Sequence, residues 1–176
     1  MSKQVQLLTL WAICSLVAAL VALQFSEAAF EEKTSTWVPV GNDSFYHARR
    51  IIDAANPAAD LQQFDNKMHV PEGSWITWPW AYDWLMAKAL QGWQKLNPNA
   101  EPMAFLAKVP VYWTFVNLAI LLGICVAVGL AVPWTALVML GYALSPLTML
   151  LHGVGIIDHH YIEHTFVLLT VYTGLR

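Results

Sequence analysis

Long uncharged segments alternate with one polar segment along this chain. Residues 7–25 contain no charged side chain, and at about 1.5 Å per residue they are long enough to cross a hydrocarbon core of roughly 30 Å. Two further apolar runs cover residues 109–132 and 133–153, and another begins at residue 165. The pattern predicts an all-α polytopic membrane protein with transmembrane helices in residues 1–25, 109–132 and 133–153, and the start of a fourth in residues 165–176.

The first apolar run has an alternative interpretation. It is followed by "FSEAAF", whose small residues are typical of a signal-peptide cleavage site. An uncleaved span is favoured, because the run exceeds the roughly 7–15 residues of a signal-peptide core. Under either interpretation, the part of the chain that follows is exported.

Residues 26–108 have a different composition. Ten of the twelve acidic residues and seven of the nine basic residues lie in this segment. We expect a folded, helical external loop domain. The stretch "NDSFYHARRIIDAA" predicts one helix with Asn42 or Asp43 as N-cap, and "WPWAYDWLMAKALQGWQKL" predicts another with Pro79 in its first turn.

The proline turn "VPW" between the second and third apolar runs is short enough to make an antiparallel hairpin. The loop domain and residues 154–164 would then emerge on the same side of the membrane. We expect this side to be the exported one, with the amino terminus inside. Asp43 and Asp158 are therefore predicted to approach each other.

Composition supports a membrane protein and argues against a nucleic-acid-binding protein. Hydrophobic residues make up 57% of the chain and charged residues only 12%. The net charge is -3 and the basic residues are scattered, so no nucleic-acid partner is expected. Cys14 and Cys125 both lie within apolar runs and reveal little about the redox compartment.

The stretch "GIIDHHYIEH" concentrates titratable groups at the predicted start of the fourth span. Asp158 and His160 are close enough in sequence to converge on one cation, with His159 and Glu163 as supporting groups. Carboxylate oxygens suit Mg²⁺ or Mn²⁺, and imidazole shifts the preference toward Mn²⁺ or a softer metal. A polar N-terminal cap for the fourth span explains the same residues, and the residue types do not decide between the two.

The stretch "NDSFYHARR" offers a partner for this group. Asp43 is a candidate ligand, although aspartate is also a favoured helix N-cap. Arg49 and Arg50 point to different faces of the predicted helix. Either one is able to contact a phosphate, and the other is expected to be solvated.

Tryptophans follow in "PEGSWITWPWAYDW". An aromatic belt at the membrane interface is the favoured interpretation. The alternative is a stacking wall for a sugar or an isoprenoid, formed by Trp75, Trp78 and Trp80.

Together these motifs resemble the amino-terminal part of the catalytic subunit of N-linked oligosaccharyltransferases, which are GT-C membrane glycosyltransferases. The resemblance extends over residues 7–176. Its specificity comes from the two aspartate motifs in this order and topology.

The resemblance implies a role for particular residues. Asp43, Asp158 and His160 would be metal ligands, with Asp43 and Asp158 essential for catalysis and Mn²⁺ or Mg²⁺ as the ion. The ion would bind the phosphate of a polyprenyl-linked oligosaccharide donor, whose glycan is transferred to a protein acceptor with inversion at the sugar carbon. A multi-pass protein of a bacterial or archaeal cytoplasmic membrane, in contact with membrane lipid, is implied.

The chain also departs from that family. The W-W-D type acceptor motif and the later external-loop glutamate are absent from these residues. We therefore expect the chain to be incomplete, with its fourth span truncated, and inactive alone.

Two alternatives remain from the sequence. One is another GT-C enzyme, such as a protein O-mannosyltransferase-like or lipid-sugar transferase. The other is a non-enzymatic membrane transport or assembly subunit, for which carboxylates in mid-span are expected. The second and third apolar runs contain none, which argues against that role.

Overall fold

The computed structural model describes residues 1–56 and 61–176, and these residues are mostly helical. The helices are α1 Lys3–Gln24, α2 Asn42–Ala55, α3 Trp80–Leu96, α4 Pro102–Leu106, α5 Val109–Ala127, α6 Val132–Ala143, α7 Pro146–Leu151 and α8 His160–Gly174. A short 3₁₀ helix covers Ser26–Ala29. Two small antiparallel hairpins pair β1 Phe30–Glu31 with β2 Thr36–Trp37, and β3 Phe64–Asp65 with β4 Ser74–Trp75.

Within residues 1–56 and 61–176, two helical stretches are long and apolar enough to cross a membrane. They are Lys3–Gln24 and Pro102–Ala127, the second of which combines α4 and α5. They correspond to the first two predicted spans. The second one ends at Ala127, before the predicted limit of residue 132.

The predicted third span is not one continuous helix. α6 has 12 residues and α7 has 6, and Leu144 and Ser145 separate them. α6 alone is about 18 Å long, which is shorter than a hydrocarbon core of roughly 30 Å. The break occurs where Pro146 begins α7, because proline has no amide to donate to the preceding turn. The turn before α6 also differs from the prediction, since it comprises residues 128–131 and Pro133 lies inside the helix.

The predicted caps of the two loop helices are wrong by one or two residues. Gly41 is the N-cap of α2, with φ of 89°, and Asn42 and Asp43 already lie in the first turn. Glycine adopts this φ without strain, which lets the chain enter the helix abruptly. Pro79 is the N-cap of α3 rather than a first-turn residue. The Asp43 side chain makes no capping hydrogen bond.

The core of the loop domain lies between α2, α3 and α4. Its fully or nearly fully buried members are Ala48, Ile51, Ala55, Tyr82, Met86, Ala87, Leu90, Met103, Leu106, Ile157 and Tyr161. The last two come from the segment that contains Asp158, His159 and His160. Ile157 and Tyr161 therefore anchor this segment in the core on both sides of its polar residues.

Gly155 ties the same segment to two other parts of the chain. Its carbonyl accepts a hydrogen bond from the amide of Val40 and its own amide donates to the carbonyl of Ala107, both at 2.8 Å. Gly155 has φ of 81°, and a Cβ there would lie 2.8 Å from the Ala29 side chain and 2.9 Å from that of Val40. The residues before α2 and those before α8 are thus held against each other.

A buried polar network fixes α8 on α5. The Asn117 amide nitrogen lies 2.9 Å from His152 Nε2 and donates to the Tyr161 carbonyl at 3.3 Å. The Thr165 hydroxyl donates to the Asn117 side-chain oxygen at 2.6 Å. Because these polar groups satisfy one another, the network sets the position of the first turns of α8.

We predict that Gly155→Ala destabilises the protein while Gly92→Ala does not. The new Cβ at position 155 would be strained and would collide with neighbouring atoms, at a cost of more than about 1 kcal/mol. At Gly92, inside α3, a Cβ meets nothing within 4 Å, and alanine should stabilise the helix by about 0.5–1 kcal/mol. Thermal unfolding of both variants in detergent micelles checks this. Equal melting temperatures for the two variants would contradict the role assigned to Gly155.

Candidate functional site

Three side chains converge where α2 meets the residues before α8. His47 Nε2 lies 3.7 Å from Asp158 Oδ1 and 3.3 Å from His159 Nδ1, and His159 Nδ1 lies 2.8 Å from Asp158 Oδ1. These atoms are close enough together to share one metal ion. The two segments that were predicted to approach each other therefore do so, and His47 of α2 contacts Asp158.

His47 is held from behind by a buried carboxylate. Its Nδ1 lies 2.6 Å from Asp83 Oδ1, and both side chains are fully buried. Arg50 Nη1 lies 2.6 Å from Asp83 Oδ2, as a close ion pair rather than an aligned hydrogen bond. The charge of Asp83 is thereby compensated, which a carboxylate at this depth requires.

A second, more exposed group adjoins the first. His160 Nδ1 lies 2.8 Å from Glu163 Oε2, and its Nε2 lies 3.6 Å from Asp158 Oδ2. The hydrogen bond with Glu163 outweighs partial burial and, with the nearby charges of Asp158, Glu163 and Asp43, raises the pKa of His160. At His159 the balance is reversed, since burial, together with the neighbouring His160 and His47, outweighs Asp158 and Glu163 and lowers the pKa. The two adjacent histidines thus differ in their tendency to be charged.

Asp43 lies at the exposed edge of this arrangement, in the first turn of α2. Among the described residues, its carboxylate has no hydrogen-bond or ion-pair partner, yet its charge acts on His160. An unpartnered carboxylate beside a histidine is available to a ligand. The role of Asp43 as a metal ligand stays a prediction.

Sequence reasoning missed His47 and Asp83. His47 is four residues after Asp43, so the two share one face of α2, and this spacing was a usable signal. Asp83 falls on the stripe that also carries Met86, Ala87 and Leu90, all buried. A carboxylate on an apolar helix face needs a partner, and this need was a second signal.

Neither arginine is solvated in the way the sequence suggested. Arg49 forms an ion pair with Asp65 and its side chain is 35% exposed, whereas the Arg50 side chain is 5% exposed and pairs with Asp83. Both arginines line a cavity of about 580 Å³ together with Gln62 and Lys67. A phosphate contact by either arginine would therefore have to share the guanidinium with a carboxylate of the chain.

Of the three predicted wall tryptophans, only Trp78 adjoins the site. Its ring centroid lies 5.0 Å from that of Tyr46 and 6.2 Å from that of His47. Trp75 packs against Phe64 and is 70% exposed, and Trp80 is 52% exposed. Trp75 and Trp80 face outward, and both the aromatic belt and the stacking wall stay predictions for them.

The donor set has a definite chemical preference. His47 and His159 offer imidazole nitrogens and Asp158 offers a carboxylate oxygen. Such a mixed set fits Mn²⁺ and softer divalent ions better than Mg²⁺, which prefers oxygen ligands alone. Of the ligand set that the resemblance implies, His160 Nε2 and Asp158 Oδ2 lie 3.6 Å apart, and Asp43 is not a member of either group of described residues whose ligand atoms lie within 4.8 Å of one another.

Comparisons with protein-family models, with curated proteins and with solved structures found no match to this chain.

We predict that Asp65 stabilises the fold above about pH 4 and that this contribution is lost in acid. Burial alone raises the pKa of the Asp65 carboxyl, but hydrogen bonds from the Lys67 amide, the Tyr46 hydroxyl and Arg49 outweigh burial and lower the pKa. A lowered folded-state pKa adds stability above the unfolded value of about 3.9, and this stability disappears as pH falls through the folded-state value.

Asp65→Asn should therefore reduce the free energy of unfolding at pH 7 and weaken its decline between about pH 5 and 3. Chemical denaturation at several pH values in detergent measures both effects. Asp53→Asn, at an exposed position of α2, is the control. An unchanged acid profile in Asp65→Asn would contradict the prediction.

Proposed function

We propose that the chain is the amino-terminal, metal- and donor-binding part of a membrane glycosyltransferase, which transfers an oligosaccharide from a polyprenyl-phosphate lipid to a protein acceptor. The observation that carries the proposal is the contact between His47 of α2 and the Asp158–His159 pair before α8. It joins the polar loop domain to the apolar helices at a cluster of acids and imidazoles.

The location of the cluster suits a lipid-linked substrate. α8 begins at His160 and continues with Phe166, Val167 and Leu169, whose apolar side chains are exposed. Exposed apolar residues on a helix are expected where it faces lipid. A polyprenyl-linked sugar has its phosphate at the headgroup level and its isoprenoid in the hydrocarbon, so the phosphate would lie beside the acids and imidazoles while the isoprenoid runs along α8.

Each site residue has a defined task in this proposal. Asp43, Asp158 and His160 hold the ion, and the backbone amide of His159 donates to Asp158 Oδ1 at 2.6 Å, which orients that carboxylate. The Glu163 carboxylate holds the His160 ring by its Nδ1 atom. The Nε2 atom of His160 is therefore directed toward Asp158. A divalent cation held there would neutralise the charge that develops on the leaving phosphate and orient the donor.

The transfer is a substitution at the sugar carbon. The acceptor nucleophile forms a bond to that carbon from the face opposite the phosphate, which inverts the configuration. The bond from carbon to the phosphate oxygen breaks and its electron pair remains on the phosphate. The proton of the acceptor group passes to a carboxylate or to water.

We predict that Asp43→Ala and Asp158→Ala each lower glycosyl transfer by about 100-fold or more in the complete protein, because a lost metal ligand removes several kcal/mol of charge stabilisation. Transfer of a labelled glycan from a polyprenyl-linked donor to an acceptor peptide, with Mn²⁺ added or chelated, measures the effect. Asp53→Ala removes an exposed carboxylate at the other end of α2 and should retain normal transfer. Normal turnover in both site variants would contradict the proposal.

A further inference from the structure

We infer that His47, Asp158 and His159 form an inner metal site that prefers ions with affinity for imidazole, and that the buried Asp83 positions His47 for it. This site is distinct from the Asp43, Asp158 and His160 set, with which it shares only one carboxylate. The inference does not depend on the proposed transferase activity.

The spacing of the three ligand atoms fits a tetrahedral ion. The distances between them are 3.7 Å, 3.3 Å and 2.8 Å for the pairs His47–Asp158, His47–His159 and His159–Asp158. Ligands bonded at about 2.0–2.1 Å to a tetrahedral metal lie about 3.3 Å apart. The site therefore needs only small side-chain shifts to bind an ion.

Asp83 sets which nitrogen of His47 is available. The carboxylate is only an acceptor, so His47 Nδ1, at 2.6 Å, must donate its proton to Asp83 Oδ1. His47 Nε2 then carries a lone pair that points toward Asp158 and His159. This carboxylate–histidine arrangement is the usual support of a metal-bound imidazole.

The charges are also arranged for one cation. Arg50 neutralises Asp83, so Asp83 contributes orientation without adding a net charge to the site. Asp158 is then the single anionic ligand of the inner group. Its other oxygen faces His160 Nε2 at 3.6 Å, on the more exposed side.

A hydrogen-bond network is the competing explanation for the same geometry. In that case the His159 Nδ1 proton lies between Asp158 Oδ1 and His47 Nε2, and no ion is needed. The two explanations differ in one respect that can be measured, which is stoichiometric metal binding that depends on His47 and His159.

Three protein ligands leave one tetrahedral position for water or for an oxygen of a ligand. Two imidazoles and one carboxylate favour Zn²⁺, Co²⁺ or Mn²⁺ over Mg²⁺ and Ca²⁺. Co²⁺ is the most informative probe, because a four-coordinate Co²⁺ site absorbs visible light strongly enough to be titrated.

The test uses the full chain without a histidine tag, purified in detergent, treated with chelator and titrated with Co²⁺. We expect one Co²⁺ per chain with a four-coordinate visible spectrum, and competition by Zn²⁺ but not by Mg²⁺. His159→Gln should abolish the spectrum, and glutamine keeps a polar side chain of similar reach at this largely buried position. His69→Asn, which removes an exposed histidine that belongs to neither group of ligands, is the control and should retain the spectrum.

Asp83→Asn tests the positioning role. Arg50 attracts the amide oxygen, so the amide nitrogen should face His47 Nδ1, donate to it and shift the ring proton to Nε2, where it blocks the metal. We expect Co²⁺ affinity to fall about 10- to 100-fold with an unchanged helical circular dichroism spectrum. If this variant fails to fold, His159→Gln still decides the question.

The inference is overturned if Co²⁺ does not bind stoichiometrically, or if His159→Gln binds it as tightly as the unaltered chain. Stoichiometric binding in a complete protein without transfer activity would leave the inner site standing and overturn the proposed function alone. If transfer requires Asp43 and Asp158 but no ion binds at the inner site, the proposed function stands and the inner site is overturned.

Discussion

The two long-range backbone hydrogen bonds of Gly155, to Val40 and Ala107, are the constraint on which the rest of the site depends. They join the chain before α2, at Val40, to the chain after α4, at Ala107. A side chain larger than glycine would not fit at this junction. Because three distant segments meet there through the backbone, the side chains that follow on α2 and before α8 have only one way to face each other.

The pairing of charged side chains also orients the groups of the site. Asp83 is completely buried and is stabilised by Arg50 and His47 on its two oxygens. At the surface, Glu163 repeats the same pairing with His160. His47 and His160 are thus each oriented by a carboxylate of their own, one at depth and one near solvent, and Asp158 is the group that both face.

The first two apolar helices were predictable in approximate place, but the number of helices long enough to span a membrane was not. Their residues are apolar both where they pack and where they are exposed, so helical periodicity adds little to length and composition. The break at Leu144 and Ser145 illustrates the limit. A proline within an apolar run either kinks a helix or ends it, and the packing of α6 and α7 against neighbours makes the choice.

The sequence by itself determined the helical class, the two long apolar helices, the polar loop domain and the concentration of titratable groups at residues 158–163, because these follow from local composition and spacing. Only the tertiary structure decided that His47 is the residue of α2 that contacts Asp158, and that Asp83 and Arg50 support it. Such contacts join residues 33 to 112 positions apart. They depend on the turn at Gly41, the junction at Gly155 and the packing of α2 on α3, none of which is encoded in the local pattern of the residues that make the contact.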